Sequence, residues 1–355
     1  MTPRSSPSLG SAATEYWAAT CCNDAAAALA VVDAELAAGR DLADVLEHVV
    51  TATQHRVGRL WAEGSWSVPQ EHAATAVSEY VVRHLLARTD LVGDDRAPAL
   101  LVACAEREWH ALPGLVLATL IAHRGRRVLH LGTDVSTQSL QGALIDHPVR
   151  AVLVSASISS SLPFVRRLVE VAHGAGIPTV VGGQAFDVEG RRAAAVGASA
   201  HAGDIDSLLA AVDALPVHVP PAPPLRGPRH NEAAMLGRRV AALSRTIVHR
   251  TTADDAAWAG LDQPQRVDAE QILADQVPVV VGTVVSALVV DEPGVVGDAL
   301  GWLADVLGSR TADPAVAGRV LDRLVEALRA ELRDFPLALE ALASVRTPAT
   351  TADPS

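Results

Sequence analysis

Hydrophobic positions recur at helical spacing over residues 14–89. The pattern breaks at 22–24, 39–41 and 64–67, and each break contains a Ser, Asn or Asp that can cap the next helix. Four helices joined by loops this short predict an antiparallel bundle.

The hydrophobic pattern changes at Leu91. From there a predicted turn over 94–98 leads into short apolar strands that alternate with helices. The strands are predicted over 99–103, 127–131, 151–156 and 178–181. The helices are predicted over 113–123, 137–145, 162–173, 191–196 and 204–215. This alternation predicts a doubly wound, Rossmann-like parallel α/β domain with its ligand edge at the carboxyl ends of the strands.

Six prolines fall between 216 and 230, which predicts a semi-rigid linker. The remainder is again helical in pattern, over 231–250, 265–290, 296–307 and 313–334 with a short last helix. The domains expected are a flexible tail 1–12, a helical bundle 13–90, the α/β domain 91–215, the linker 216–230, a helical domain 231–346 and a tail 347–355.

The composition of the chain excludes several classes of function. The net charge is −12 and all 29 basic residues are arginine, which argues against direct DNA binding and excludes lysine-based catalysis. The three cysteines lack disulfide or zinc spacing, as expected in a reducing cytoplasm. The longest apolar run, 277–290, is interrupted by Pro278 and Gly282, so no membrane span is expected.

Candidate chemistry follows the predicted strands. The residues at the strand ends are Glu108 and His110 after the first, Gly132 and Thr133 after the second, Ser155 and Ser157 after the third, and Gly182 and Gly183 after the fourth. This pattern resembles the cobalamin-binding Rossmann-like domain of methionine synthase and the corrinoid proteins. The family's glycine falls here on Pro113, with Gly114 one place later.

The resemblance implies that His110 is the lower axial ligand of cobalt and that Glu108 orients it. It also implies that the nucleotide tail of the cofactor lies in a slot lined by Ser155, Ser157 and Gly183. The alternative for an isolated histidine is an ordinary surface or core residue.

The bundle carries a second motif, Trp61 followed after nine residues by Glu71 and His72. It resembles the W-x9-EH motif of the light-sensing, adenosylcobalamin-dependent family typified by CarH. The resemblance implies that the bundle caps the upper cobalamin face, with Trp61 shielding the adenosyl group and Glu71 and His72 contacting it. The alternative is that Trp61 is bundle core and Glu71 an ordinary residue of a helix first turn.

A globin-like or phycobiliprotein-like helical domain after such a unit is similar to the photocobilins, which carry cobalamin and biliverdin. Cysteine is missing from residues 231–346, so a biliverdin there would be held non-covalently. The candidate bilin contacts are Arg238, Arg245, His249, Arg250, Asp254 or Asp255, and Trp258. The alternative is that these arginines form a solvated face of a dimerisation module.

The sequence therefore predicts a cytoplasmic photoreceptor rather than an enzyme, a homo-oligomer whose state depends on light, with an unidentified protein partner. One rival is a corrinoid methyl-carrier of a methyltransferase system, which needs His110 but not the Trp61 motif. A second rival is a regulator that keeps the fold without the cofactor.

Overall fold

The computed structural model describes residues 9–89 and 97–344. The predicted tail 347–355 lies outside these residues, and so do parts of the predicted tail 1–12 and of the turn 94–98. The chain divides into two compact units. The first comprises the described residues of 1–155 with 171–183 and 200–220, and the second comprises 156–170, 184–199 and the described residues from 221 onward.

The first unit opens with four helical rods, as the hydrophobic pattern predicts. Their elements are α1 (Leu9–Cys21), α2 (Ala25–Ala37), α3 (Leu42–Val45) continued by a π-helical turn (Leu46–Thr51) into α4 (Ala52–Ala62), and α5 (Val68–Arg88). Asp24 and Asp41 cap α2 and the third rod by accepting hydrogen bonds from backbone N–H groups. Ser67 and Gln70 form a capping box that begins α5.

A buried apolar layer joins these rods. Tyr16, Val32, Val49 and Val81 are almost completely buried, and Leu115 of the following domain packs into the same cluster. The Tyr16 hydroxyl is paired with the Ser78 hydroxyl at 3.1 Å, so the only polar atom of its side chain is satisfied inside the core.

The same unit contains a parallel five-stranded sheet in the order β2-β1-β3-β4-β5. The strands are β1 (Ala99–Cys104), β2 (Val128–His130), β3 (Val149–Ser155), β4 (Thr179–Gly182) and β5 (Ala200–His201). Its helices are α6 (Ala111–His123), α7 (Thr137–Asp146) and α10 (Ile205–Ala214). Two further helices follow β3 and β4 in the chain, α8 (Leu162–Gly174) and α9 (Arg191–Ala195); α9 and the first nine residues of α8 belong to the second unit. A Rossmann-like parallel sheet was expected, but β5 was not, because two residues are too few to give a strand pattern.

The second unit is largely helical. Its carboxyl-terminal helices are α11 (Pro228–Gly237), α12 (Val240–Thr252), α13 (Gln263–Val290), α14 (Gly294–Thr311), α15 (Pro314–Glu331) and α16 (Pro336–Ala343). The single helix predicted over 231–250 is wrong, since α11 ends before Arg238 and α12 begins after Arg239. The globin-like architecture stays a prediction.

Helix α13 is the core helix of this unit. It continues through Pro278, although proline removes one backbone hydrogen bond, so the helix predicted over 265–290 forms as one element that begins two residues earlier. Among the described residues it is the one helix long and apolar enough to cross a membrane. However, 67% of its most apolar window is buried inside the protein, as in an ordinary core helix.

A buried arginine fixes the linker to the second unit. Arg166 donates hydrogen bonds to the carbonyl oxygens of Pro223 and Val196 and pairs with Glu170. A side chain at Gly197 would meet the Arg166 guanidinium at 2.6 Å. The proline-rich segment is therefore held by specific bonds and not by its stiffness alone.

Candidate cofactor site

The loop after β1 holds His110 against a buried carboxylate. The Nδ1 atom of His110 lies 2.5 Å from Oε1 of Glu108, and the same oxygen accepts a hydrogen bond from the His110 backbone N–H at 3.2 Å. Glu108 is completely buried, whereas the His110 side chain is 58% exposed. Because the carboxylate accepts from Nδ1–H, the lone pair of the neutral ring lies on Nε2, which is free to coordinate a metal.

Neighbouring charges increase the proton affinity of this imidazole. The hydrogen bond to Glu108 raises the pKa of His110, burial opposes it, and the charges of Glu108 and Glu71 raise it further. A more basic imidazole is a stronger σ-donor to a metal ion, but a bound proton competes with the metal for the same nitrogen.

Tight packing beneath the loop explains the shifted glycine. His110 is the N-cap of α6, and Pro113 lies in its first turn, where a backbone N–H has no partner within the helix. A Cβ at Gly114 would lie 3.1 Å from Sγ of Cys104, so the helix packs against β1 at the position one residue later than the family's glycine. Burial, and then the charge of Glu108, raises the pKa of Cys104 to about 12, so this thiol stays neutral.

Hydrogen bonds join the loop after β1 to the loop after β2. The backbone N–H of Arg107, a residue with a left-handed φ of 64°, donates to the Asp134 carboxylate at 2.8 Å. The Gly132 carbonyl accepts from the Cys104 backbone at 3.0 Å, and Thr133 follows it half-buried. Gly132 and Thr133 are thus placed beside the loop that carries His110.

Ser155 and Gly182 are register partners at the carboxyl ends of β3 and β4. A Cβ at Gly182 would lie 2.6 Å from the carbonyl oxygen of Ala202, so this position admits only glycine without backbone movement. Gly183 has a φ of 106°, which also favours glycine. Ser157 follows Ser155 by two residues, so this strand end presents small side chains, as a slot for a ligand tail requires.

The second motif lies on the α4–α5 turn. Trp61 is the penultimate residue of α4, while Glu71 and His72 lie in the first turns of α5. The Glu71 carboxylate contacts Nδ1 of His72 at 2.5 Å and accepts from the Thr75 hydroxyl at 2.8 Å. Because α5 packs against α6, whose N-cap is His110, the fold brings part of this motif toward the β1 loop, and the charge of Glu71 raises the pKa of His110.

The side chains that support this motif carry no sequence pattern of their own. The Thr75 hydroxyl oxygen lies 2.8 Å from Oε1 of Glu71 and 3.1 Å from Oε1 of Gln54, so α4 and α5 share one polar cluster behind Glu71. Nearby, Trp66 stacks on Trp17 with ring centroids 5.4 Å apart. The sequence shows both tryptophans, but it does not show that Trp17 of α1 stacks on Trp66 of the α4–α5 turn.

The candidate bilin residues are dispersed among ion pairs and core. Arg250 pairs with Glu331 at 2.9 Å, Asp254 with Arg323 at 2.6 Å and Asp255 with Arg266 at 2.9 Å. Arg238, Arg245 and His249 are exposed. Trp258 is 2% exposed, and its Nε1 has no hydrogen-bond partner among the described residues. The bilin site stays a prediction.

Comparison with known proteins matches the helical bundle and the α/β domain to cobalamin binding. Residues 98–213 match a family model described as a B12 binding domain, and residues 13–86 match a second model with the same description. None of the curated proteins compared with the sequence matches it.

Solved structures that resemble the chain include the monomethylamine corrinoid protein of Methanosarcina barkeri, at 16% identity, with 59% of this chain and 100% of that chain covered and a TM-score of 0.47. A cobalamin-binding protein from Desulfitobacterium hafniense DCB-2 matches at 18% identity, with 59% and 100% covered and a TM-score of 0.31. The methanol:cobalamin methyltransferase complex of Methanosarcina barkeri matches at 16% identity, with 58% and 81% covered and a TM-score of 0.30.

The donor set agrees with these family matches. One imidazole is oriented by a buried carboxylate, and β4 ends on Gly182, a position with no room for a Cβ. The chain is a cobalamin-binding protein with two B12-binding domains.

Proposed function

We propose that this chain is a light sensor that uses adenosylcobalamin, with His110 as the lower ligand of cobalt and the α4–α5 turn over the upper face. The observation that carries the proposal is the proximity of the two motifs. Helix α5, which carries Glu71 and His72 in its first turns, packs against α6, whose N-cap is His110, in one buried cluster. The charge of Glu71 also raises the pKa of that imidazole.

Each motif residue has a role that its chemistry supports. Glu108 fixes the ring of His110 so that Nε2 faces away from the carboxylate. Trp61 supplies a large apolar surface, and Glu71 and His72 supply hydrogen-bonding groups suited to a nucleoside. Adenosylcobalamin supplies a cobalt–carbon bond that light breaks.

Loss of the adenosyl group would remove contacts to Trp61, Glu71 and His72, and the packing of the bundle would then change. A ligand shifts a conformational equilibrium only through its differential affinity for the two states, and these contacts are that difference. The expected output is a change of oligomeric state, or of affinity for a protein partner, in the cytoplasm. Biliverdin, as a second chromophore bound non-covalently within 231–346, remains an expectation.

The test is to load the protein with adenosylcobalamin in the dark, illuminate it with green light and record absorption spectra and gel-filtration profiles. A light-dependent spectrum together with a change in molecular size supports the proposal. Trp61→Ala should lose the size change, whereas Trp302→Ala, which removes a partly exposed tryptophan of the second unit, should keep it. A spectrum indifferent to light would refute light sensing, and a size indifferent to light would exclude a change of oligomeric state as the output. Methyl transfer to the isolated protein would favour the methyl-carrier instead.

The bilin expectation has a separate test. The protein is incubated with biliverdin and passed through gel filtration, and retention of a red-absorbing band is the expected result. Loss of the pigment on the column would remove biliverdin from the proposal and leave the cobalamin part unchanged.

A further inference from the structure

Helix α13 packs directly on the loop that follows β3. A Cβ at Gly282 would lie 3.0 Å from Cβ of Ser160, which is tighter than ordinary side-chain contacts. Ser160 belongs to a 3-10 turn, Ser159–Ser161, and the buried Ser161 hydroxyl closes that turn on the Ile158 carbonyl at 2.6 Å. This turn follows Ser155 and Ser157 in the chain, and the core helix of the second unit therefore packs on the loop after β3.

The loop that follows β4 is held by the far end of the same helix. Arg192 makes a two-pronged ion pair with Glu292, with N–O distances of 2.8 and 2.9 Å, and the Arg192 side chain is 12% exposed. Arg192 also donates to the carbonyl of Ala185 at 3.2 Å. Glu292 stands two residues past the end of α13, after Asp291 in the left-handed region.

The two loops are also joined to each other. The backbone N–H of Ala185 donates to the carbonyl of Ala156 at 3.1 Å. The Asp187 carboxylate accepts from the backbone N–H groups of Arg191 and Arg192 at 2.9 and 2.7 Å. The segments 156–161 and 184–192 therefore form one layer joined by hydrogen bonds, and this layer contacts α13 at Gly282 and Glu292 just beyond the end of α13.

We infer that Gly282, Arg192 and Glu292 are positioning residues for the nucleotide tail of cobalamin. They hold the loops after Ser157 and Gly183 in the shape that admits the tail, and they make its binding depend on the carboxyl-terminal helices. The inference rests on the proposed placement of the tail in the slot. The coupling runs both ways, because a tail that favours one loop shape also favours the matching position of α13.

The test compares two ligands, cobalamin and cobinamide, which keeps the corrin ring but lacks the nucleotide. Wild-type protein is expected to bind cobalamin more tightly than cobinamide. Arg192→Gln and Glu292→Gln should weaken cobalamin by roughly 3- to 30-fold and leave cobinamide unchanged. Arg191→Gln is the control, because it removes the same charge one residue earlier from a side chain that is 71% exposed.

A steric variant tests the same layer without altering charge. Gly282→Ala should give the same selective loss, whereas Gly301→Ala should not, since a Cβ at Gly301 meets nothing within 4 Å. A general structural defect would weaken both ligands equally, and circular dichroism at the assay temperature confirms that each variant is folded.

The outcomes separate the inference from the proposed function. If wild-type protein prefers cobalamin and the variants keep that preference, or lose affinity for both ligands alike, the inference is wrong and the site stands. If wild-type protein binds the two ligands equally, the tail is not in the slot, and the inference falls together with the proposed placement of the tail.

Discussion

Replacing Glu108 with glutamine tests the orientation of His110. Glu108 is completely buried and touches both Nδ1 and the backbone N–H of His110. Glutamine preserves the shape and one acceptor oxygen but removes the charge. Loss of such a supporting partner costs about 10- to 100-fold in metal affinity, or about 1.4 to 2.7 kcal/mol.

The pH dependence provides a second readout with a defined sign. Cobalt needs the unprotonated ring, so coordination by His110 should grow as pH rises through its raised pKa. Glu108→Gln removes the main cause of that raised pKa, so the midpoint should move to lower pH while affinity above the midpoint falls.

The assay is a titration with adenosylcobalamin followed by absorption at several pH values. Glu106→Gln is the matched control, because it removes the same charge from the same loop, two residues away. If Glu108→Gln keeps the wild-type affinity and midpoint, or behaves like Glu106→Gln, then Glu108 does not orient the ligand.

Three further predictions concern stability. Gly182→Ala should lower the free energy of unfolding, measured in urea, by about 1–3 kcal/mol, since its Cβ would lie 2.6 Å from the Ala202 carbonyl oxygen. Gly203→Ala is the control and should lower it much less, because a Cβ there meets no atom within 4 Å. Equal losses of stability in the two variants would refute the packing argument. For Asp187, burial acts to raise the pKa, but hydrogen bonds outweigh it and lower the pKa to about 2. The ionised Asp187 carboxylate should therefore stabilise the folded state above about pH 4, and this contribution should be lost as pH falls toward 2. Wild-type protein should then be more stable than Asp187→Asn only at the higher pH. A stability difference independent of pH would contradict this. Tyr16→Phe should cost about 1 kcal/mol, measured by thermal unfolding, and no loss would show that its buried hydroxyl bond adds nothing.

Local features were predictable because they depend on residues close in sequence. Asp24 and Asp41 mark helix starts, and α6 and α8 lie close to their predicted ranges, because capping and apolar spacing act within a few residues. The pairing of Glu108 with His110 is also local, since only one residue separates them.

Features that depend on distant residues were not predictable. The ion pair between Arg192 and Glu292 joins positions 100 residues apart, and the influence of Glu71 on His110 crosses from the bundle to the sheet. The same limit applies to the burial of Trp258, a candidate bilin contact whose side chain is 2% exposed. Tertiary packing decides each of these cases, and no local pattern encodes it.

The most direct test of the account is electron paramagnetic resonance of the cobalt(II) form of cobalamin bound to protein labelled with 15N-histidine. If His110 is the lower ligand, each cobalt line splits into a doublet from the 15N nucleus, and His110→Ala loses that doublet. Triplet splitting from the unlabelled nitrogen of the cofactor's own nucleotide would contradict the account.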